Sequence, residues 1–133
     1  MEDAVALGTT LMRSHAEVDH ILGLSAVEVL LELKDEFKDQ ITLQVAAFAQ
    51  EGITNIDNEV ELLRSAMRRG CDAVGSAPYV DPDGSANISH VFDIAQEFNC
   101  DVDFHLDYHL GSDKPSLLPV VLEETQRRGW QGR

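Results

Sequence analysis

"ITLQVAAFAQEG", residues 41–52, reads as a strand with one misfit. Gln44 stands among Leu43, Val45, Ala46 and Ala47, and a polar side chain in mid-strand needs a polar surface to face. The run then ends in Gln50, Glu51 and Gly52, so the chemistry lies at its C-terminal end. Three further β-like runs flank it: "TTLMRSH" (Thr9–His15), "DAVGSAP" (Asp72–Pro78) and "DVDFHLD" (Asp101–Asp107). The four begin at positions 9, 41, 72 and 101, a period near 30.

Helical patterns fill the gaps. Ser25 and Glu28 have the spacing of a capping box, and Val27, Leu30, Leu31 and Leu33 then form an apolar stripe to about Lys38. A second helix starts near Asn58, carries Val60, Leu62, Leu63 and Met67, and stops at Gly70 after Arg68 and Arg69. A third covers about 88–98, and a fourth runs from near Pro115 to Gly129. Strand and helix alternate without hairpin signals, which implies βαβ units and a parallel sheet. An open doubly wound sheet and a (β/α)8 barrel both fit this rhythm. No GxGxxG or GxxxxGK follows the first strand, which weakens nucleotide-binding forms of the open sheet. The strand ends "SHAEVD", "FAQEG", "APYVDPDG" and "FHLDYHLGSD" are all polar, the edge where barrels build their sites. The expectation is an α/β fold, a partial (β/α)8 TIM barrel of about four βα units, occupying residues 1–133 as one domain. Four units are half a barrel, so open edges and self-association through them are expected.

Composition narrows the function. The chain has 133 residues, 44% hydrophobic, and a net charge of −14 from 24 acids and 10 bases. It has no basic patch, so neither nucleic acid nor an anionic membrane is an expected partner. It also lacks a long apolar run and a basic N-terminal leader, which points to the cytoplasm. Cys71 and Cys100 have no CxxC spacing and read as small buried thiols.

The titratable residues of "DVDFHLDYHL" (Asp101–Leu110) come next. Two-residue spacing puts Asp103, His105 and Asp107 on one strand face, with Phe104, Leu106 and Tyr108 toward the helices. A histidine beside carboxylates suits a metal ligand with supporting acids, and equally a structural hydrogen-bond network. His109, at the strand end, has three readings: acid/base group, ligand, or exposed side chain. His15 shares a face with Arg13 and reads by default as a buried, satisfied histidine. Gln44 offers both donor and acceptor to a ring amide or amidine, or to an internal partner. "DPDG" (81–84) is a turn without the remaining ligands of a calcium loop. His20 and His90 read as surface positions. No G-x-S-x-G elbow is present.

Together, "GTTLMRSHAEVD", "ITLQVAAFAQEG", "AMRRGCDAVGSAPYVD" and "DVDFHLDY" resemble the cytosine deaminase branch of the amidohydrolase superfamily, over about residues 7–130. The resemblance implies a (β/α)8 barrel and a divalent metal, zinc or iron, that activates water against a C–N carbon of a cyclic amidine or amide. It makes His105 the metal ligand ending the fifth strand, Gln44 the third-strand residue that contacts substrate, and Arg13 with His15 the second-strand R-x-H. The family's other ligands would lie before Met1 and beyond Arg133, so a split or truncated product is expected. One ligand is too few to hold the metal, and the chain alone is expected to be inactive. The family's general acid, three residues after the histidine, is here Tyr108, whose phenol holds its proton too firmly near neutrality. Asp107 and His109 are the candidate catalytic substitutes, although the family does not supply them. Two other readings are a catalytically inactive remnant with a structural or interaction role, and an open-sheet binding module.

Overall fold

The computed structural model describes residues 1–108 and 114–132. Four strands, β1 (Leu11–Glu17), β2 (Thr42–Ala49), β3 (Ala73–Ser76) and β4 (Asp101–Phe104), form one sheet in sequence order. Every neighbouring pair is parallel. Helices α1 (Glu2–Ala6), α2 (Ser25–Glu36), α3 (Glu59–Arg68), α4 (Gly84–Phe98) and α5 (Leu118–Arg128) alternate with the strands. A 3-10 turn, Pro78–Val80, follows β3.

The register divides the sheet into two faces. Val45, Ala47 and Val74 turn outward and join Val27, Leu63, Ala66, Ile88, Val91 and Phe92 of the helices in one core. Phe92 and Leu63 are fully buried, each worth about 2–3 kcal/mol relative to exposure. The inner face carries Arg13 beside Gln44, then His15 beside Ala46 beside Ala73 beside Asp101, then Phe48 beside Gly75 beside Asp103.

That inner face is strongly concave. Strands lie about 4.8 Å apart, so β1 and β4 would be ~14 Å apart across a flat sheet. Yet the rings of His15, on β1, and His105, just past β4, have centroids 4.9 Å apart. Arg13 Nη1, also from β1, lies 3.1 Å from Asp103 Oδ2 on β4. A sheet that lets its outer strands touch across the middle is curled like a barrel wall. Ala46, Ala73 and Gly75 on the central strands leave the space for that contact.

Several local expectations shift. Ser25 is the first residue of α2 rather than its cap; its hydroxyl donates to the Leu22 carbonyl, and Glu28 pairs with Arg69. The capping box therefore does not form. Helix α4 starts earlier than its apolar stripe, because the Asp83 carboxylate accepts from the Ala86 amide at 2.9 Å. Strand β4 ends at Phe104, and Asp107 has a left-handed φ of 55°. Asp107 thus leaves the strand face expected for it. Its carboxylate instead accepts from Ser116 Oγ at 2.5 Å and the Leu117 amide at 2.9 Å, pinning the entry to α5. Arg128 fastens the far end of α5 to α4 through Asp93, Gln96 and Ser89.

Gly75 is the point where the curl leaves no room for a side chain. A Cβ there would stand 2.0 Å from the Asp103 carbonyl oxygen and 2.9 Å from the Phe48 ring. Gly75→Ala should cost about 2–3 kcal/mol, read as a lower urea midpoint with an unchanged slope. Unchanged stability would show that β4 can move away freely.

Candidate functional site

The site is built where the curl brings β1 and β4 together. His15 Nε2 lies 3.4 Å from Asp103 Oδ2. One donor atom from each of His15, Asp103 and His105 lies within 4.8 Å of the others. Phe48 forms the floor: its ring is 4.8 Å from His15 and 4.5 Å from His105, and only 2% of the residue is exposed. An aromatic floor restrains both imidazoles while their edges stay open to solvent. His15 is therefore not the buried histidine expected of it; 36% of its side chain remains exposed.

Arg13 organises the lower part of the face. Its Nε donates to Gln44 Oε1 at 3.1 Å, and its guanidinium also lies 3.5 Å from Asp101. With one lone pair of the Gln44 oxygen taken and the side-chain orientation set by Arg13, the amide NH2 is available to meet a ligand. Two imidazoles and a carboxylate make a donor set suited to zinc or iron rather than magnesium or calcium. His105 and Asp103 share the face that the alternation of "DVDFH" placed them on, and Gln44 lies on it too. Asp107 does not join them, and His109 lies outside the described residues. Tyr108 is 81% exposed and stacks on Tyr79 with centroids 5.8 Å apart.

The loops above the strand ends are held by carboxylates. Asp81 accepts from the Ile53 amide at 2.8 Å, the Thr54 amide at 3.0 Å and Thr54 Oγ1 at 2.8 Å, and Asn87 also donates to it. "DPDG" is thus a loop anchor and a helix cap in succession. Gly52 has a φ of 106°, and a Cβ there would run into Asp81 and Asn55. The end of "AQEG" must therefore be glycine. The core residues Cys71 and Cys100 are buried and are not joined in a disulfide. Burial, and next Asp72, push the Cys71 thiol up to about 11, so it stays protonated. A hollow of about 620 Å³ lies on the helix layer between Glu28, Leu31 and Arg69, away from the histidines.

Sequence reasoning missed Glu59. It begins α3 and is 1% exposed, and its carboxylate accepts no hydrogen bond among the described residues. Burial, and next the charge of Asp19, push it up to about 7. Only its position at a helix start showed in the sequence, and that predicts an exposed acid.

No protein-family model matches the chain. It is 37% identical, over 95% of its length, to the N-isopropylammelide isopropyl amidohydrolase of a Pseudomonas species (strain ADP), covering 32% of that protein. Among solved structures it superposes on a 5-methylcytosine deaminase from Klebsiella pneumoniae liganded with phosphonocytosine. There the TM-score is 0.86 and the identity 32%, over 96% of this chain and 32% of that one. It matches an N-isopropylammelide isopropylaminohydrolase from Burkholderia multivorans equally well in TM-score, 0.86, at 28% identity over 95% of this chain and 33% of that one. The fold is thus α/β, a partial (β/α)8 barrel. The chain is a relative of the amidohydrolase, cytosine deaminase-like family, and it spans about a third of the length of the proteins it matches. No helix among the described residues is long and apolar enough to cross a membrane.

The raised Glu59 sets a pH dependence. Its folded pKa exceeds the ordinary 4.5, so the folded state binds the extra proton between about 4.5 and 7. The stability from that proton is full below about 4.5 and is lost as pH rises through about 7. Glu59→Gln should remove this loss, gaining about 3 kcal/mol on wild type between pH 4.5 and pH 8 in urea denaturation. Parallel pH profiles for the two proteins would contradict the burial argument.

Proposed function

We propose that this chain is the β1–β4 portion, strands two to five, of a cytoplasmic metal-dependent hydrolase acting on a C–N bond of a small cyclic amidine or amide. The observation that carries the reading is the convergence of His105 and Gln44 on one concave, polar sheet face whose strand order and curl match solved deaminases. His105 would be a metal ligand here, assisted by further donors. A bound divalent metal would supply Lewis-acid chemistry for the attack of water on the ring carbon. The chain's own residues do the rest of the work on this face. Gln44, with its oxygen held by Arg13 Nε, presents its NH2 to a ring nitrogen or carbonyl oxygen of the substrate. Phe48 excludes water from beneath the histidines. In the reaction, water adds to the carbon, the C–N bond breaks, and nitrogen leaves as ammonia or an amine.

Proton delivery to the leaving nitrogen is not assigned to Tyr108 or Asp107. Tyr108 stacks on Tyr79, and the Asp107 carboxylate is committed to the start of α5. With neither Tyr108 nor Asp107 free for that step, and with two sheet edges, β1 and β4, unpaired among the described residues, the 133-residue chain by itself is inactive on this reading. The edges would pair with further strands, from another segment or from a second copy.

Two measurements test the reading. The purified chain, with zinc or iron added, should release no ammonia or amine from cyclic amidines; turnover would overturn its proposed dependence on further strands. Co-expression with the reading frames on either side of its gene should produce that release, and Gln44→Ala should raise KM at least tenfold. In-frame stop codons on both sides, with no activity in any combination, would favour the inactive remnant instead.

A further inference from the structure

We propose that His15 and Asp103 join His105 as direct ligands, so that this chain alone presents a three-donor site for one zinc-like transition-metal ion. The inference deepens the function proposed above and shares His105 with it. His15 and Asp103 are new, since the family resemblance leaves both without a ligand role.

The geometry carries the proposal. Tetrahedral zinc holds nitrogen and oxygen donors at about 2.0–2.1 Å, which puts neighbouring donors about 3.3–3.4 Å apart. His15 Nε2 and Asp103 Oδ2 already stand 3.4 Å apart. No separation in the trio exceeds 4.8 Å, so at most about 1.5 Å has to close. That is within the swing of an imidazole with an open edge, and His105 is exposed.

The surroundings suit a site of this kind. The Phe48 ring lies against both imidazoles and limits their rotation. Arg13 holds Asp103 from below, the supporting contact that ligating carboxylates commonly have. Arg13 also competes with a cation for Asp103. It has alternative partners in Asp101, at 3.5 Å, and Gln44, at 3.1 Å, so a metal can draw Asp103 away without stranding the guanidinium. Two neutral imidazoles and one carboxylate select a borderline cation such as zinc, cobalt or iron(II) over magnesium or calcium. Three protein donors also leave a fourth position facing the concave side, the arrangement of catalytic rather than structural zinc.

Cobalt(II) is the probe, because its visible absorption distinguishes tetrahedral coordination from the hexa-aquo ion. Titration of the full 133-residue chain should give an intense visible band that saturates at one equivalent and is displaced by zinc. His15→Gln, Asp103→Asn and His105→Gln should each weaken binding at least tenfold, with circular dichroism showing the fold retained. Magnesium in excess should not compete. Absence of the band in wild type overturns the inference. So does wild-type affinity in His15→Gln and Asp103→Asn when only His105→Gln loses the metal. That second outcome leaves His105 as a ligand and the hydrolase reading intact, so the two proposals fail separately.

Discussion

Everything at the candidate site depends on how tightly a four-stranded sheet can curl. Arg13 and His15 stand on one edge strand, Asp103 and His105 on or just beyond the other. They touch because the central strands carry small residues on the inner face at Ala46, Ala73 and Gly75, with the Phe48 ring as the one large group, lying as a floor beneath the two histidines. Gly75 is the tightest point, where the Asp103 backbone takes the space of a side chain. Larger residues there would hold the edges apart. The two histidines would then be separate surface groups.

The second constraint is polar and lies along the C-terminal edge. Loops that carry chemistry must be held without a core of their own. Here carboxylates do it, each accepting from backbone amides. Asp19 accepts from Ile21 and Leu22, Asp81 from Ile53 and Thr54, Asp83 from Ala86, and Asp107 from Leu117. This accounts for part of the acidic excess at the strand ends, which composition alone reads as solubility. Asp107 reads as a site residue in sequence because of where it stands, but its oxygens are occupied in building the edge, as are those of Asp81 in the turn.

The opposite edge is quieter. Lys34 reaches Asp72 at 2.6 Å, and Asp72 also accepts from the Val45 amide at 2.7 Å. This contact ties α2 to the start of β3 with no group left over for chemistry. The barrel's contrast between a quiet end and an end of polar, carboxylate-held loops is thus present in four units.

The sequence by itself determined the strand–helix order, the parallel class, the face assignment of Gln44, Asp103 and His105, and the end of the sheet that carries the polar groups. These follow from alternation and from turn and cap residues, which act over a few positions. Where sequence reading went astray, a longer-range contact prevailed. Ser25 bonded backward to Leu22 instead of capping, Asp107 turned to meet α5, and His15 met Asp103 and His105, 88 and 90 residues away, instead of a buried partner. Glu59 was invisible as a special group because its burial arises only in the packed tertiary structure. The tertiary structure alone decided which chemical groups meet. Side-chain spacing along a strand is set by a two-residue repeat, but distance across a sheet is set by curvature, a collective property of every residue on the inner face.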